Sequence, residues 1–482
     1  MTFTPALQHN HYGANGVTIN NDYGTLDTRT AVGLLTRKIR IISGDDSGWG
    51  YRINVFGYSD TFFNEDGEEI EIIRTGSVTL SGVELYEGGQ YDTSNAPLRI
   101  ENAVGDDTNL IEKSSFHDCK ANCIYMLNAI HSDIKNNVFY HGRQILMRAN
   151  EISDYSFTGN LMISAIKRPT FVGKDLISCY ATWDPIHENS VTITNNLCQG
   201  SDLHGFALPH LPCDRLDDPP YSDNTAGSTD TAFIFNKISG TCIGSTEVKA
   251  YASKIGQIAS PQGPEQIIFQ NFIIADCERG ATLRFGLEGA DRTAYFKDSY
   301  ITAISRPSCS DCYGDDATNC TSTHALRMLA VTVNGESLPN KFGSNFDVIC
   351  KQEVFDAKAF LTNITFENYN QEYASLTQCS NNVVFKPHDG ASDMTGSHNL
   401  NGVHCVNCTN TAVGFFRPPA RADLGWFGGC GNILCTGMNN YIINDWTGDF
   451  LGFRGVIIAN NTEIGDNEEN CTFYEEINGH IC

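Results

Sequence analysis

The chain has 482 residues, 57 acidic against 32 basic, and a formal charge of −25. That balance, without any basic run, excludes nucleic acid and anionic membrane surfaces as partners, and no apolar stretch approaches the roughly 18 residues that span a bilayer. With 41% hydrophobic residues the chain has enough apolar surface for a packed core, so it is not a disordered polymer.

Taken in chain order, the helical period is almost absent. Short β-rich runs recur instead: SVTLSGVELY (77–86), HSDIKNNVFYHG (131–142), YSFTGNLMIS (155–164), VTITNNLCQG (191–200), TAFIFNKISG (231–240), EQIIFQNFIIA (265–275) and TAYFKDSYITA (293–303). Each alternates apolar residues, meets a turn residue, and continues with two or three apolar positions. The turn slot is Gly82, Asn137, Asn160, Asn196, Asn236, Asn271 and Asp298, and from Asn137 onward the gaps are 23, 36, 40, 35 and 27 residues.

A period of about 22–23 residues suits one coil of a parallel β-helix, and the longer gaps suit the same coil with a loop inserted at a corner. Inward side chains would stack coil upon coil into a continuous core. Asparagine tolerates the left-handed conformation that bends the chain between strands, and stacked asparagines hydrogen-bond along the axis. The predicted fold is all-β: a right-handed, single-stranded parallel β-helix with inserted loops and a disulfide-rich C-terminal part. A two-sheet sandwich is the rival, but it would place turn residues between the runs, whereas here asparagine recurs at one register inside them. The stretch 214–230 reads as a corner loop. The composition shifts over 305–324, dividing a β-helical body (1–305) from a Cys- and sequon-rich continuation or β-rich C-terminal region (306–482).

Cysteine sets the compartment. Seven lie before residue 300 (Cys119, Cys123, Cys179, Cys198, Cys213, Cys242, Cys277) and eleven after it (Cys309, Cys312, Cys320, Cys350, Cys379, Cys405, Cys408, Cys430, Cys435, Cys471, Cys482). Eighteen is even, and so many thiols point to disulfides in an oxidising compartment. Zinc is the rival at Cys309/Cys312 and Cys405/Cys408, but those pairs lack a regular partner pattern. Glycosylation sequons occur at Asn319, Asn363, Asn407, Asn460 and Asn470, all in the C-terminal part. The expected localisation is extracellular or at the cell surface. The opening MTFTPALQHNHYG has neither a basic n-region nor an apolar h-region, so the sequence reads as an ordered segment or mature portion of a longer precursor.

Three stretches carry a resemblance: RTAVGLLTRKIRIISGDDSGWG (29–50), GSVTLSGVELYEGGQ (76–90) and IEKSSFHDCKANCIYMLNAIHSDIKNNVFYHGR (111–143). In that order they resemble fibrocystin and fibrocystin-L, very large cell-surface proteins with parallel β-helix repeats, whose superfamily includes the cell-surface hyaluronan-degrading proteins. The likeness covers roughly residues 5–300, and CGNILCTGMNNYIINDWTGDFLGFRG (430–455) looks like a later segment of fibrocystin-like proteins. The glycine-rich β domain usual upstream of VGLLTR is missing, as is the membrane anchor of the large animal proteins. The resemblance implies a right-handed β-helix in an extracellular setting and leaves activity open.

Parallel β-helices often cleave acidic polysaccharides, which requires placed carboxylates. The pairs Asp45–Asp46, Asp106–Asp107, Asp217–Asp218 and Asp315–Asp316 all sit in turn-like sequence, and no Gly-His-Gly occurs. Calcium at such a pair would need six to eight oxygens that adjacent aspartates alone do not supply. No metal or other cofactor is otherwise implied. The best catalytic candidates are His117, Asp118, His131, His141 and Arg143, with His117 and His141 spaced for neighbouring coils and an imidazole suited to general-base work. His204 and His210 form a weaker pair. The leading expectation is a structural extracellular glycoprotein, a subunit of a surface coat or filament that associates with itself or with other glycoproteins. The alternatives are a polysaccharide lyase or hydrolase and a glycan- or ligand-binding module of a larger receptor.

Overall fold

The computed structural model describes residues 18–29, 31–44, 48–91, 93, 95–167, 177–182, 190–236, 240–253, 255–259, 266–277, 279–285, 292–302, 329–335, 355–368, 394–407, 441–459, 471–474 and 479–482. Among them the regular structure is strand, apart from one 3-10 turn at Cys213–Arg215. The chain forms two compact units. The first comprises Met1–Thr182, His187–Phe206 and Asp223–Thr229, and the second Trp183–Ile186, Ala207–Ser222 and Asp230–Cys482.

The first unit is a parallel β-helix. One row stacks Thr79–Ser81, Asn109–Glu112, Ser132–Lys135, Tyr155–Thr158 and Val191–Thr194. A second stacks Ile39–Ile42, Val83–Tyr86, Ser115–His117, Val138–Arg143, Leu161–Ile166, Leu197–Gln199 and Asn224–Gly227. A third stacks Ile53–Phe63, Leu98–Glu101, Ile124–Ala129, Ile145–Ile152 and Ser178–Ala181. Each coil contributes one strand to each row, so like residues stack. Ring centroids step along the core from Phe116 to Phe139 at 5.2 Å, to Phe157 at 6.3 Å and to Tyr180 at 4.9 Å. These are favourable aromatic separations and add to the area term.

The predicted asparagine column is present, with a division of labour. The Oδ1 atoms of Asn160, Asn196 and Asn224 accept the backbone N–H of the ladder residue one coil earlier at 3.0, 3.0 and 3.2 Å. Each ladder Nδ2 also donates to a carbonyl of an earlier coil, as from Asn137 to Ile111 at 2.9 Å. The left-handed bend falls one residue earlier, at Asn136, Gly159, Asn195 and Asp223. Asn236, placed in the turn slot from sequence, instead ends the strand Thr231–Asn236. Asn224 holds the slot, 28 residues after Asn196. Asn271 and Asp298 take the bend, with positive φ, rather than the ladder position.

Arg29 and residues 31–37 form a strap across the outer face of the second row. Gln199 binds Arg29 and Ala31. At Gly33 a Cβ would stand 2.6 Å from Val138 Cγ1, so only glycine passes there. Ser115 donates to the Leu35 carbonyl, and Arg37 donates to the Lys113 carbonyl at 2.7 Å. The strap therefore covers Glu84 and Ser115, which point outward in the strand alternation yet are buried.

In the second unit one row runs Cys242–Thr246, Gln266–Gln270, Arg292–Thr302, Phe355–Glu367, Met394–Val406 and Tyr441–Asp445, all parallel. Another runs Thr231–Asn236, Ile255–Ala259, Arg279–Phe285 and Leu329–Gly335. Parallel pairing thus continues past residue 305. It ends where Gly455–Ala459 pairs antiparallel with Tyr441–Asp445, followed by Gly479–Ile481 and Thr472–Tyr474, also antiparallel.

Disulfides join Cys119–Cys123, Cys179–Cys198, Cys213–Cys242 and Cys471–Cys482, and Cys405 is also a half-cystine. Cystines on this scale belong to an oxidising compartment. Cys277 corrects the expectation of full pairing: it is a buried free thiol, pushed up to about 12 by burial. Cys309, Cys312, Cys320, Cys350, Cys379, Cys408, Cys430 and Cys435 lie outside the described residues, as do the sequons at Asn319, Asn460 and Asn470. Among the described residues no helix is long and apolar enough to cross a membrane.

Candidate functional site

The outer face of the second row in the first unit collects the chemistry. Pairing places Arg40, Glu84 and Ser115 side by side, and Tyr86, His117 and Tyr140 beside them. The next positions, Asp118 and His141, take left-handed corners with φ of 54° and 52°. There the bend turns both side chains toward each other, 23 residues apart.

The result is a chain of acids and imidazoles. Glu84 is 1% exposed. One of its oxygens accepts the Arg37 backbone N–H at 3.1 Å, and the other takes Arg40 Nε at 2.9 Å and faces His117 Nε2 at 3.2 Å. His117 Nδ1 lies 3.0 Å from Asp118 Oδ2, and His141 Nδ1 lies 2.8 Å from Asp118 Oδ1. An imidazole facing carboxylates with both nitrogens donates at both only as the imidazolium. The Tyr86 ring packs against His117, tilted by 32° with centroids 4.8 Å apart.

Burial opposes the Glu84 charge, but the Arg37 N–H, His117 and Arg40 outweigh it and hold the carboxyl below its usual range. Burial likewise opposes the charge of Asp118, and its hydrogen bonds to His117 and His141 bring it down. Hydrogen bonding to Glu87, then burial, pushes the Tyr86 phenol up to about 12.

Of the residues singled out from sequence, His117, Asp118 and His141 come together. His131 does not join them and pairs with Asp154. Arg143 lies over the Tyr91 ring at 5.2 Å, where Lys120 also sits, at 5.6 Å. His204 is buried, and His210 is buried with Nδ1 3.4 Å from the Gly244 carbonyl. Asp106, Asp107, Asp217 and Asp218 are exposed, while Asp45–Asp46 and Asp315–Asp316 lie outside the described residues. No cluster of three or more His, Cys, Asp or Glu among the described residues is arranged to hold a metal. Sequence reading missed Glu84, Arg37 and Arg40. The available signal was a lone acid between two core residues in V-E-L, with R-x-x-R running from the strap into the strand Ile39–Ile42.

No family model matches the chain, and no curated protein matches it. Among solved structures it is similar to the catalytic domain of a GH87 alpha-1,3-glucanase in complex with nigerose, 12% identical, with a TM-score of 0.31. That likeness covers 69% of this chain and 58% of the other, so the chain spans less than two thirds of it.

Proposed function

We propose that the chain is a structural module of an extracellular glycoprotein, part of a surface coat, and that its acid–imidazole chain holds the fold together instead of turning over substrate. The observation that carries this is the placement of Glu84. Its carboxylate lies under the strap, with both oxygens engaged by Arg37, Arg40 and His117, and a general acid or base must reach the reacting group. The kinship with fibrocystin-like surface proteins belongs to the same reading. The phrases that carry it, VGLLTR and GVELYEGGQ, are the strap and the strand that anchors it. Secretion fits the cystines. The antiparallel strands that end the parallel row of the second unit favour a coat over head-to-tail stacking from that end.

A second reading, action on an extracellular glycan, is favoured by Asp118 and His141, whose side chains are 33% and 40% exposed. One experiment separates the two. The chain is incubated with neutral, uronic-acid and sulfated polysaccharides, and new reducing ends and unsaturated products are measured. The structural reading expects none. Product that disappears in Asp118→Asn or His141→Gln would replace it with the catalytic one.

A further inference from the structure

One β-ribbon projects from the first unit. The strand Ile53–Phe63 pairs with Leu98–Glu101 only over Ile53–Phe56. Beyond that, Gly57–Phe63 pairs antiparallel with Glu69–Thr75, and neither has another strand beside it among the described residues. Strand alternation puts Phe56, Tyr58, Asp60 and Phe62 on one face, and the antiparallel register adds Ile70, Ile72 and Arg74. On that face Phe56, Tyr58, Phe62 and Ile70 are 46%, 57%, 43% and 37% exposed. The opposite face is interrupted by Ser59, Thr61, Glu69 and Glu71. A two-stranded ribbon alone is marginally stable and gains most when a further layer covers its apolar face.

Charge says what that layer is. The ribbon root carries Arg52, whose Nη2 donates to Asn54 Oδ1 on the same side at 3.3 Å. The tip carries Glu65, Asp66 and Glu68, turned by Asn64 Oδ1, which accepts the Asp66 and Glu68 N–H at 3.0 and 2.8 Å. Midway between Arg52 and Asp66 lies an ion pair, Arg74 Nε to Asp60 Oδ2 at 3.1 Å. Phe56 and Phe62 flank it on either side. This order, basic root, aromatic, ion pair, aromatic, acidic tip, is complementary to itself when reversed. A partner of another kind would need no such reversal. We propose that a second copy of this chain covers the ribbon, face to face and antiparallel about a two-fold axis. The axis sets Arg52 of one copy against the tip acids of the other, and Phe56 of one against Phe62 of the other. Tyr58 of one then donates its hydroxyl to Asp60 of the other. From Arg52 to Asn64 the ribbon is roughly 40 Å long and about 10 Å wide. The pairing therefore buries on the order of 1,000 Å² in all, the low end for a specific interface, and gives a dissociable dimer. It depends neither on the acid–imidazole chain of the second row nor on the coat reading.

The test is sedimentation equilibrium of the whole chain from about 1 to about 200 µM, the span that an interface of this size requires. A reversible monomer–dimer equilibrium is expected. F62S, at an exposed ring, should weaken it at least about tenfold. R52E and D66R should each weaken it severalfold, although they move the net charge in opposite directions. The double variant R52E/D66R, with the parent's net charge, should recover the dimer. Root and tip of one ribbon are roughly 40 Å apart, so the reversed pair forms only between copies. This charge exchange tests the pairing even if F62S does not fold. A chain that stays monomeric throughout would assign the ribbon to a different partner and overturn the proposal. So would a dimer unchanged in F62S and R52E, or a double variant no tighter than the single ones.

Discussion

The Gln199 carboxamide and the Ala31 peptide meet across 168 residues of sequence, with Oε1 accepting the Ala31 N–H at 2.9 Å and Nε2 donating to the Arg29 carbonyl at 3.1 Å. One side chain thus fixes the start of the strap, and Glu84 fixes its end through Arg37. Gln199→Ala removes two hydrogen bonds and is expected to lower stability by about 1–2 kcal/mol. Hydrogen exchange should rise over residues 31–35 and stay unchanged over Asn109–Glu112. Faster exchange spread evenly over the unit would refute a localised anchor.

The Glu84 anchor has a definite acid dependence. Glu84 and Asp118 both titrate lower folded than unfolded. Their contribution is complete above the unfolded carboxylate range, near pH ~4, and is lost as pH falls through their depressed folded values. Protection factors of the strap amides, taken against intrinsic exchange rates, are expected to fall as pH drops below ~4. Glu84→Gln should show the lower protection already at pH 6, with little further change on acidification.

Along the asparagine column, ladder and bend make opposite predictions for adjacent residues. Asn160→Ala leaves the Asn137 backbone N–H without its acceptor, takes one of the two acceptors of Asn137 Nδ2, and removes the donor to the Ile134 carbonyl, all inside the wall. A loss of about 3–5 kcal/mol is expected in denaturant unfolding, because buried polar groups are orphaned. Asn136→Gly should stay within about 1 kcal/mol of the parent, since glycine adopts the same left-handed φ without strain. Equal losses at the two positions would show that the division of labour is wrong.

His210, in the second unit, is neutral by burial. It packs 5.5 Å from the Phe235 ring, and Nε2 has no partner. Burial, opposed by the Gly244 carbonyl, pushes the imidazole down to about 4. Between the unfolded value near ~6.5 and about 4, the unfolded chain binds the extra proton, so stability falls with pH across that window by up to about 3 kcal/mol. Unfolding titrations of His210→Leu between pH 7 and pH 4 should lose that slope.

Two sequon asparagines are described and exposed. Asn363 occupies a left-handed corner, with Nδ2 2.7 Å from Asp298 Oδ1, and Asn407 occupies another, with Nδ2 2.8 Å from Asn368 Oδ1. A glycosylated amide keeps one N–H, so each side chain retains a donor after modification. Material secreted from eukaryotic cells is expected to carry glycan at both positions. Enzymatic deglycosylation in heavy-oxygen water followed by peptide mapping checks each one.

The coil period, the stacked strands and the asparagine column were legible because inward residues and turn residues repeat at a near-constant interval. Asn224 was not legible, because the inserted loop before it hides the period and Asn236 offers a false match. The strap was invisible for a different reason. Its contacts, Gly33 on Val138 and Ala31 on Gln199, obey no local periodicity and exist only once separate coils are in place. Glu84 was missed with it, since a strand acid reads as solvent-facing until something covers it.

The strap also sets an order of events. A β-helix can in principle add coils one after another as the chain lengthens, each resting on the last. Arg29 and residues 31–37 leave the ribosome before the coils they cover, and Gln199 follows Arg29 by 170 residues, so this segment waits undocked while its landing sites are synthesised and stacked. Closing it links the coil of Glu84 to the coil of Gln199, so the coils between them open together instead of fraying one at a time.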